Sequence, residues 1–243
     1  MEGVTELKLN KVSGWQEAKS PPKSSLAESL IILMAIVVLS AFMVLSRTFA
    51  FWSISILALL TVLAIAFRYI QATHLLLFLL LWLTLPLIVP VLGFWPQILL
   101  LPIIIYALVV AAIPNLGRSI LWLRAGHLTS DIIILILATI LLSSIVLVGW
   151  YLLFQPNINS HLAMIPKMPI WLLPLACLGF AMMNAAMEEI VFRGIIMQAL
   201  DSALGIGHLT VVLQAGSFAA FHYLAGFPNG FYGDALRAYL LRG

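Results

Sequence analysis

Charge is scarce in this sequence. Only 9% of its 243 residues are Asp, Glu, Lys or Arg, 63% are hydrophobic, and the mean hydropathy is +1.14. An ordinary soluble domain carries about 25% charged residues, so too few are present to cover a water-exposed globule. Seven of the 21 charges (Glu2, Glu6, Lys8, Lys11, Glu17, Lys19 and Lys23) precede residue 25, which leaves 14 for everything that follows. A soluble enzyme, a disordered chain and a collagen-like fibre are excluded. Cysteine is nearly absent: Cys177 stands alone, so no internal disulfide and no Cys-based metal site can form. It lies in an apolar run and is expected to be a small core residue. No basic run points to nucleic acid. No alternating pattern suggests a barrel, and no repeat of 20–50 residues is visible.

What the chain has is long apolar runs. They cover Ser29 to about Leu45, Phe51 to Phe67, Leu75 to Val89, Gln97 to Ile113 and Ile132 to Phe154. Arg47, Arg68, Pro90 with Gly93 and Pro96, and Pro114-Asn115 punctuate them. Gly117 to Ser130, with Arg118, Arg124 and His127, reads as a juxtamembrane loop, and Pro156, Asn157, Asn159 and Lys167 mark another polar loop. Two further runs, from Pro169 through Leu204 and from Leu209 to His222, flank a turn at Gly205, Gly207 and His208. Asp234 to Leu241 opens one more helix. Inside a bilayer each segment must satisfy its own backbone, which demands helices. The expected fold is therefore all-α, a polytopic helical membrane protein with about seven transmembrane helices and the start of an eighth. It divides into a polar tail (1–27), N-terminal transmembrane helices (28–154) and a C-terminal core (155–243). A cleavable signal peptide is not expected, because the first apolar run exceeds the ~7–15 residues of a signal h-region. With the N-terminus inside, seven basic residues (Lys8, Lys11, Lys19, Lys23, Arg68, Arg118 and Arg124) collect on the inner side against Arg47 and Lys167 outside. That asymmetry predicts a cytoplasmic N-terminus.

Within these runs one cluster of charge stands out, Glu188-Glu189 followed by Arg193. An acidic residue near the middle of a membrane helix costs roughly 2.5–3.5 kcal/mol on insertion scales, so such residues face wet cavities or partners. On a helix Glu189 and Arg193, four apart, share a face and can pair. Glu188 is rotated by about 100° and escapes that arginine, which suits it to act as a general base. Downstream, Phe218 and His222 again lie four apart. Glu188 precedes Gly205 by 17 residues and His222 follows it by 17. In an antiparallel hairpin the two therefore stand level, about 25 Å from the turn. A carboxylate and an imidazole at one depth can activate a water, with Glu as base and His as hydrogen-bond donor or metal ligand.

Taken singly, these features have plainer readings. Glu189 with Arg193 is equally an interfacial ion pair, and a Phe four residues before a His is common. His74, His127 and His161 fall in expected loops and read as interfacial residues, and His208 reads as a cap. Only the matched depth joins the cluster to His222.

Asn184 to Gly194, reading NAAMEEIVFRG, resembles the EExxxR motif of the CAAX protease and bacteriocin-processing (Abi-type) membrane proteins, relatives of the type II CAAX prenyl endopeptidase. Phe218 to His222 matches that family's FxxxH motif, and Gly226-Phe227-Pro228-Asn229-Gly230 resembles the loop that follows it. The resemblance covers roughly residues 165–243. It implies an intramembrane endopeptidase in which Glu188 activates water and His222 holds the water or the oxyanion. Glu189, Arg193 and Phe218 would support them. The implied partners are membrane lipid and a peptide or protein substrate: a prenylated C-terminus where the cell prenylates, a secreted or bacteriocin-like peptide in a bacterium. Cofactor use stays open between a divalent metal such as zinc, on Glu188 and His222, and none; those two residues are only part of a zinc ligand set. The family's third motif, a His four residues before Asn or Asp, has no counterpart after His222, so the chain is expected to stop short of the family's last helices. Two alternatives accompany the peptidase reading: a catalytically incomplete membrane scaffold or immunity-type binding protein, and a proton-coupled transporter using Glu188 and Glu189.

Overall fold

The computed structural model describes residues 23–45, 49–93, 96–120, 129–155 and 167–225. Expectations placed on residues 1–22, Arg47, Arg124, His127, Pro156, Asn157, Asn159, His161, the loop 226–230 and the helix 234–241 lie outside them.

Every apolar run in the described residues is helical, and none of these residues forms a strand. Helix α1 spans Leu26–Leu45, α2 Ala50–Ala66 and α3 Ile70–Ile88. A 3-10 turn at Pro90–Gly93 leads to α4, Gln97–Ala112, and a single turn at Pro114–Gly117 follows it. Helix α5 covers Ser130–Phe154. Helix α6 is continuous over Leu173–Leu204, passing through a π-helical stretch at Glu189–Ile196. Helix α7 covers His208–Ala225. Four of them (α1, α3, α5 and α6) are long and apolar enough to cross a membrane, and α2 and α4 are shorter apolar helices. The protein is an all-helical integral membrane protein.

The core is built around α3. Its Leu75, Phe78, Leu79 and Trp82 meet a stripe on α1 (Ile32, Ala35, Ile36, Leu39) and pairs on α6 (Val191-Phe192, Ile195-Ile196, Ala199-Leu200). The spacing of three and four residues places each set on one helical face. Lipid is as apolar as leucine, so burial alone does not drive these contacts; close packing and interhelical hydrogen bonds do. Those bonds cluster at one end of the bundle, where α1 and α3 begin and α4 and α6 end. Ser24 N–H donates to the Ser202 carbonyl at 2.8 Å. Ser29 Oγ donates to the Ala203 carbonyl at 3.2 Å. Glu28 Oε1 accepts from Gln71 N–H at 2.9 Å and Ala72 N–H at 3.2 Å, capping α3 from a different helix. Gln198 Nε2 donates to Gln71 Oε1 at 2.8 Å and to the Ser119 carbonyl at 3.0 Å.

This network corrects two expectations. Helix α3 starts at Ile70, not Leu75, because Glu28 supplies the acceptor its first amides need. His74 lies in that helix rather than a loop: it is buried, with Nδ1 2.8 Å from Tyr106 Oη and Nε2 2.6 Å from Ser119 Oγ. A third correction concerns Cys177, which is exposed rather than in the core. The first half of α6 turns Leu175, Leu178, Phe180 and Met182 outward as well. An apolar helix bathed in lipid has no need to bury its small residues.

Candidate functional site

Helices α6 and α7 form an antiparallel hairpin. The reversal falls at Gly205, whose φ of +82° is a backbone conformation that side chains with a Cβ rarely adopt. Gly205 N–H donates to the Asp201 carbonyl at 2.9 Å, and Thr210 Oγ1 donates to the Gly205 carbonyl at 2.9 Å, so both arms are pinned to the turn. Two helices leaving a fixed turn at 1.5 Å per residue bring positions equally distant from it to one level.

At that level His222 Nε2 lies 3.5 Å from Glu188 Oε1, and both side chains are largely buried, 27% and 19% exposed. His222 Nδ1 is 3.1 Å from the Phe218 carbonyl. A carbonyl only accepts, so Nδ1 carries a proton in that bond. Neutral imidazole would then turn an acceptor toward Glu188. The contact is therefore attractive only when a proton is shared between the pair, as imidazolium with carboxylate or imidazole with carboxylic acid.

Asn184, one turn before Glu188, donates Nδ2 to the same Oε1 at 3.1 Å. Both contacts fall on one carboxyl oxygen. Asn184 was not singled out from the sequence, although a signal was available. It is the one hydrogen-bonding polar side chain between Leu173 and Met187 apart from the thiol of Cys177, and a carboxamide in an apolar helix calls for a partner.

Glu189 and Arg193 pair with each other at 3.4 Å across one turn, with side chains 55% and 71% exposed. The pair lies in the π-helical stretch, a distortion frequent at functional sites because it re-aims side chains within a continuous helix. Beneath it is an aromatic floor. Phe192 meets Phe218 edge-on at a centroid distance of 5.0 Å, Phe218 lies 4.2 Å from the His222 ring, and Trp82 of α3 abuts Phe221 at 5.3 Å and Phe192 at 6.4 Å. Arrangements of this kind add about 0.5–1.5 kcal/mol per pair beyond area burial and hold the imidazole against one wall.

An open pocket of about 230 Å³ lies between the helices, with Glu188, Glu189, Phe192 and Arg193 on the α6 side and Gln214 and Phe218 on the α7 side. The small Ala185 and Ala215 complete its lining. Gln214, four residues before Phe218, is the second polar residue that sequence reasoning passed over. The structure thus brings together all five expected site residues: Glu188 and His222 in contact, Glu189 with Arg193 at the pocket mouth, and Phe218 against the imidazole. Among the described residues no group of three or more His, Cys, Asp or Glu side chains converges to hold a metal ion. Glu188 and His222 would be two ligands of any ion bound here. His208 opens α7 at an exposed position, away from the pocket.

A largely buried carboxylate and imidazole thus meet beside an open pocket within a helical membrane protein. The same segment, residues 169–241, matches a family model described as type II CAAX prenyl endopeptidase Rce1-like. The motif resemblance and the family match fall on the same residues, and the matched family is one of peptidases acting on peptide or protein substrates. No curated protein and no solved structure matches the chain.

Proposed function

We propose that this protein is an intramembrane endopeptidase of the CAAX-protease type, hydrolysing a peptide bond of a membrane-associated peptide or protein. The observation that carries the proposal is the approach of Glu188 and His222 to 3.5 Å beside the pocket. Glu188 takes a proton from a pocket water through the oxygen not held by Asn184 and His222. The water oxygen attacks the scissile carbonyl. His222, as imidazolium, turns its Nε2–H from the now-protonated Glu188 to the oxyanion that develops, and the proton on Glu188 passes to the leaving amine as the C–N bond breaks. Glu189 and Arg193 steady the mouth, and Phe218 fixes the imidazole. General acid–base catalysis of this kind contributes about 10²–10⁴-fold. The positive-inside asymmetry supports a cytoplasmic N-terminus, which puts the polar end of the bundle, near Ser24 and Ser202, on the cytoplasmic side.

The test is cleavage in proteoliposomes of a pool of membrane-anchored peptides, prenylated and unprenylated, with products read by mass spectrometry. Wild-type protein cleaves members of the pool, while Glu188→Gln and His222→Ala lose about 10²-fold or more. Turnover near wild type in either variant refutes the assignment. Peptide binding without cleavage by the wild type supports the scaffold reading. Proton-coupled uptake lost on neutralising both glutamates supports the transporter.

A further inference from the structure

The pocket extends along the hairpin as well as into it. On α7 its polar boundary is Gln214, on the same helical face as Phe218 and His222 at successive spacings of four. Eight residues separate Gln214 from His222, about 12 Å along the helix. That is the length of about three to four residues of extended chain. Of the other polar side chains lining the pocket, Glu188 is engaged with Asn184 and His222, and Glu189 and Arg193 with each other. The Gln214 carboxamide makes no hydrogen bond to a described residue, while its backbone carbonyl accepts from Ser217 Oγ at 2.8 Å. It is partly buried and stands in an apolar stretch of sequence, after Val211, Val212 and Leu213. A polar group placed in such a helix without a structural partner is a functional candidate.

Resting on the endopeptidase reading, we propose that Gln214 is a substrate-binding residue whose carboxamide pairs with a main-chain peptide unit of the substrate three to four residues from the scissile bond. The ligand class is an extended peptide segment. A carboxamide offers one acceptor and two donors, so it satisfies the N–H and C=O of a single peptide unit together. Wherever the bound segment displaces water, those groups need a partner on the protein, and the carboxamide supplies one. A helical substrate has them already paired and would have to unwind over at least four residues before it fits.

The probe is an internally quenched, N-acylated hexapeptide chosen from a random pool for cleavage by the wild-type protein in proteoliposomes. A series of its analogues replaces one amide at a time by an ester, which removes a single N–H. In the wild type the ester three or four residues from the scissile bond raises KM by roughly 10-fold or more, as loss of a buried hydrogen bond does. Gln214→Met, which keeps the volume, raises KM for the parent peptide similarly and leaves kcat within about 2-fold, the signature of lost uniform binding. In that variant the same ester adds nothing further. An ester penalty of equal size with and without Gln214, or an unchanged KM in the variant, overturns the inference and leaves the endopeptidase reading standing. A wild type that cleaves no member of the pool overturns both.

Discussion

Glu28 is the residue whose removal most directly tests the account of the fold. Its carboxylate, on α1 and only 9% exposed, accepts from Gln71 N–H at 2.9 Å and Ala72 N–H at 3.2 Å at the start of α3. Glu28→Ala deprives two amides at a buried helix terminus of their acceptor. Loss of a side-chain cap costs about 0.5–2 kcal/mol, and an unsatisfied buried donor about 1–3 kcal/mol. Two donors lose their acceptor, so the loss is about 2–4 kcal/mol. At roughly 2–4 °C per kcal/mol for a chain of this length, the unfolding midpoint falls by roughly 5–15 °C. Glu28→Gln keeps an acceptor oxygen and loses only the charge at the positive end of α3, about 0.3–1 kcal/mol. Its midpoint should fall by no more than about 4 °C. The assay is thermal unfolding in detergent followed by the fluorescence of the seven tryptophans. An Ala variant as stable as wild type, or a Gln variant as unstable as Ala, refutes the capping argument. Glu28 also anchors the helix that carries Gln71, which holds Gln198 on α6. Loss of the cap should therefore loosen the arm that bears Glu188.

Two further outcomes are expected. Asn184→Ala removes the 3.1 Å bond that orients Glu188; in the peptide cleavage assay kcat falls by roughly 10-fold while KM holds, and a change in KM alone would show that Asn184 contacts substrate instead. Trp82→Ala empties the floor under Phe192 and Phe221, from a side chain only 1% exposed. Its expected loss is about 3–5 kcal/mol, read from the same thermal unfolding, and an unchanged midpoint would mean that this cluster does not hold the hairpin in place.

The convergence of Glu188 and His222 was legible without coordinates because it depends on counting. Seventeen residues on either side of Gly205, a rise common to all α-helices and one reversal together bring two side chains to the same depth. The 3.5 Å approach follows that count, although α6 passes through a π-helical stretch just beyond Glu188. The pairing of Glu189 with Arg193 was legible for the same reason, being four apart on one helix. Asn184 is within the same reach of Glu188. It escaped notice because a carboxamide carries no charge to draw attention, and its partner is evident only once Glu188 is seen to need orienting.

The sequence by itself determined where the helices run, and the physical reason is local. Each apolar run has to satisfy its own backbone, so hydropathy alone places α2, α4 and α5 to within a residue or two. The tertiary structure decided whatever depends on a partner from elsewhere in the chain. Gln71 and His74 read as polar residues outside a span until Glu28, 43 positions before Gln71, caps their helix, and Tyr106 and Ser119 meet the imidazole. Ser24 reads as tail until it bonds to Ser202, 178 positions away. Cys177 reads as core until its face of α6 turns outward. The pocket has the same origin: Gln214 and Glu188 come from different arms of the hairpin, and no periodicity within either arm shows that they line one cavity.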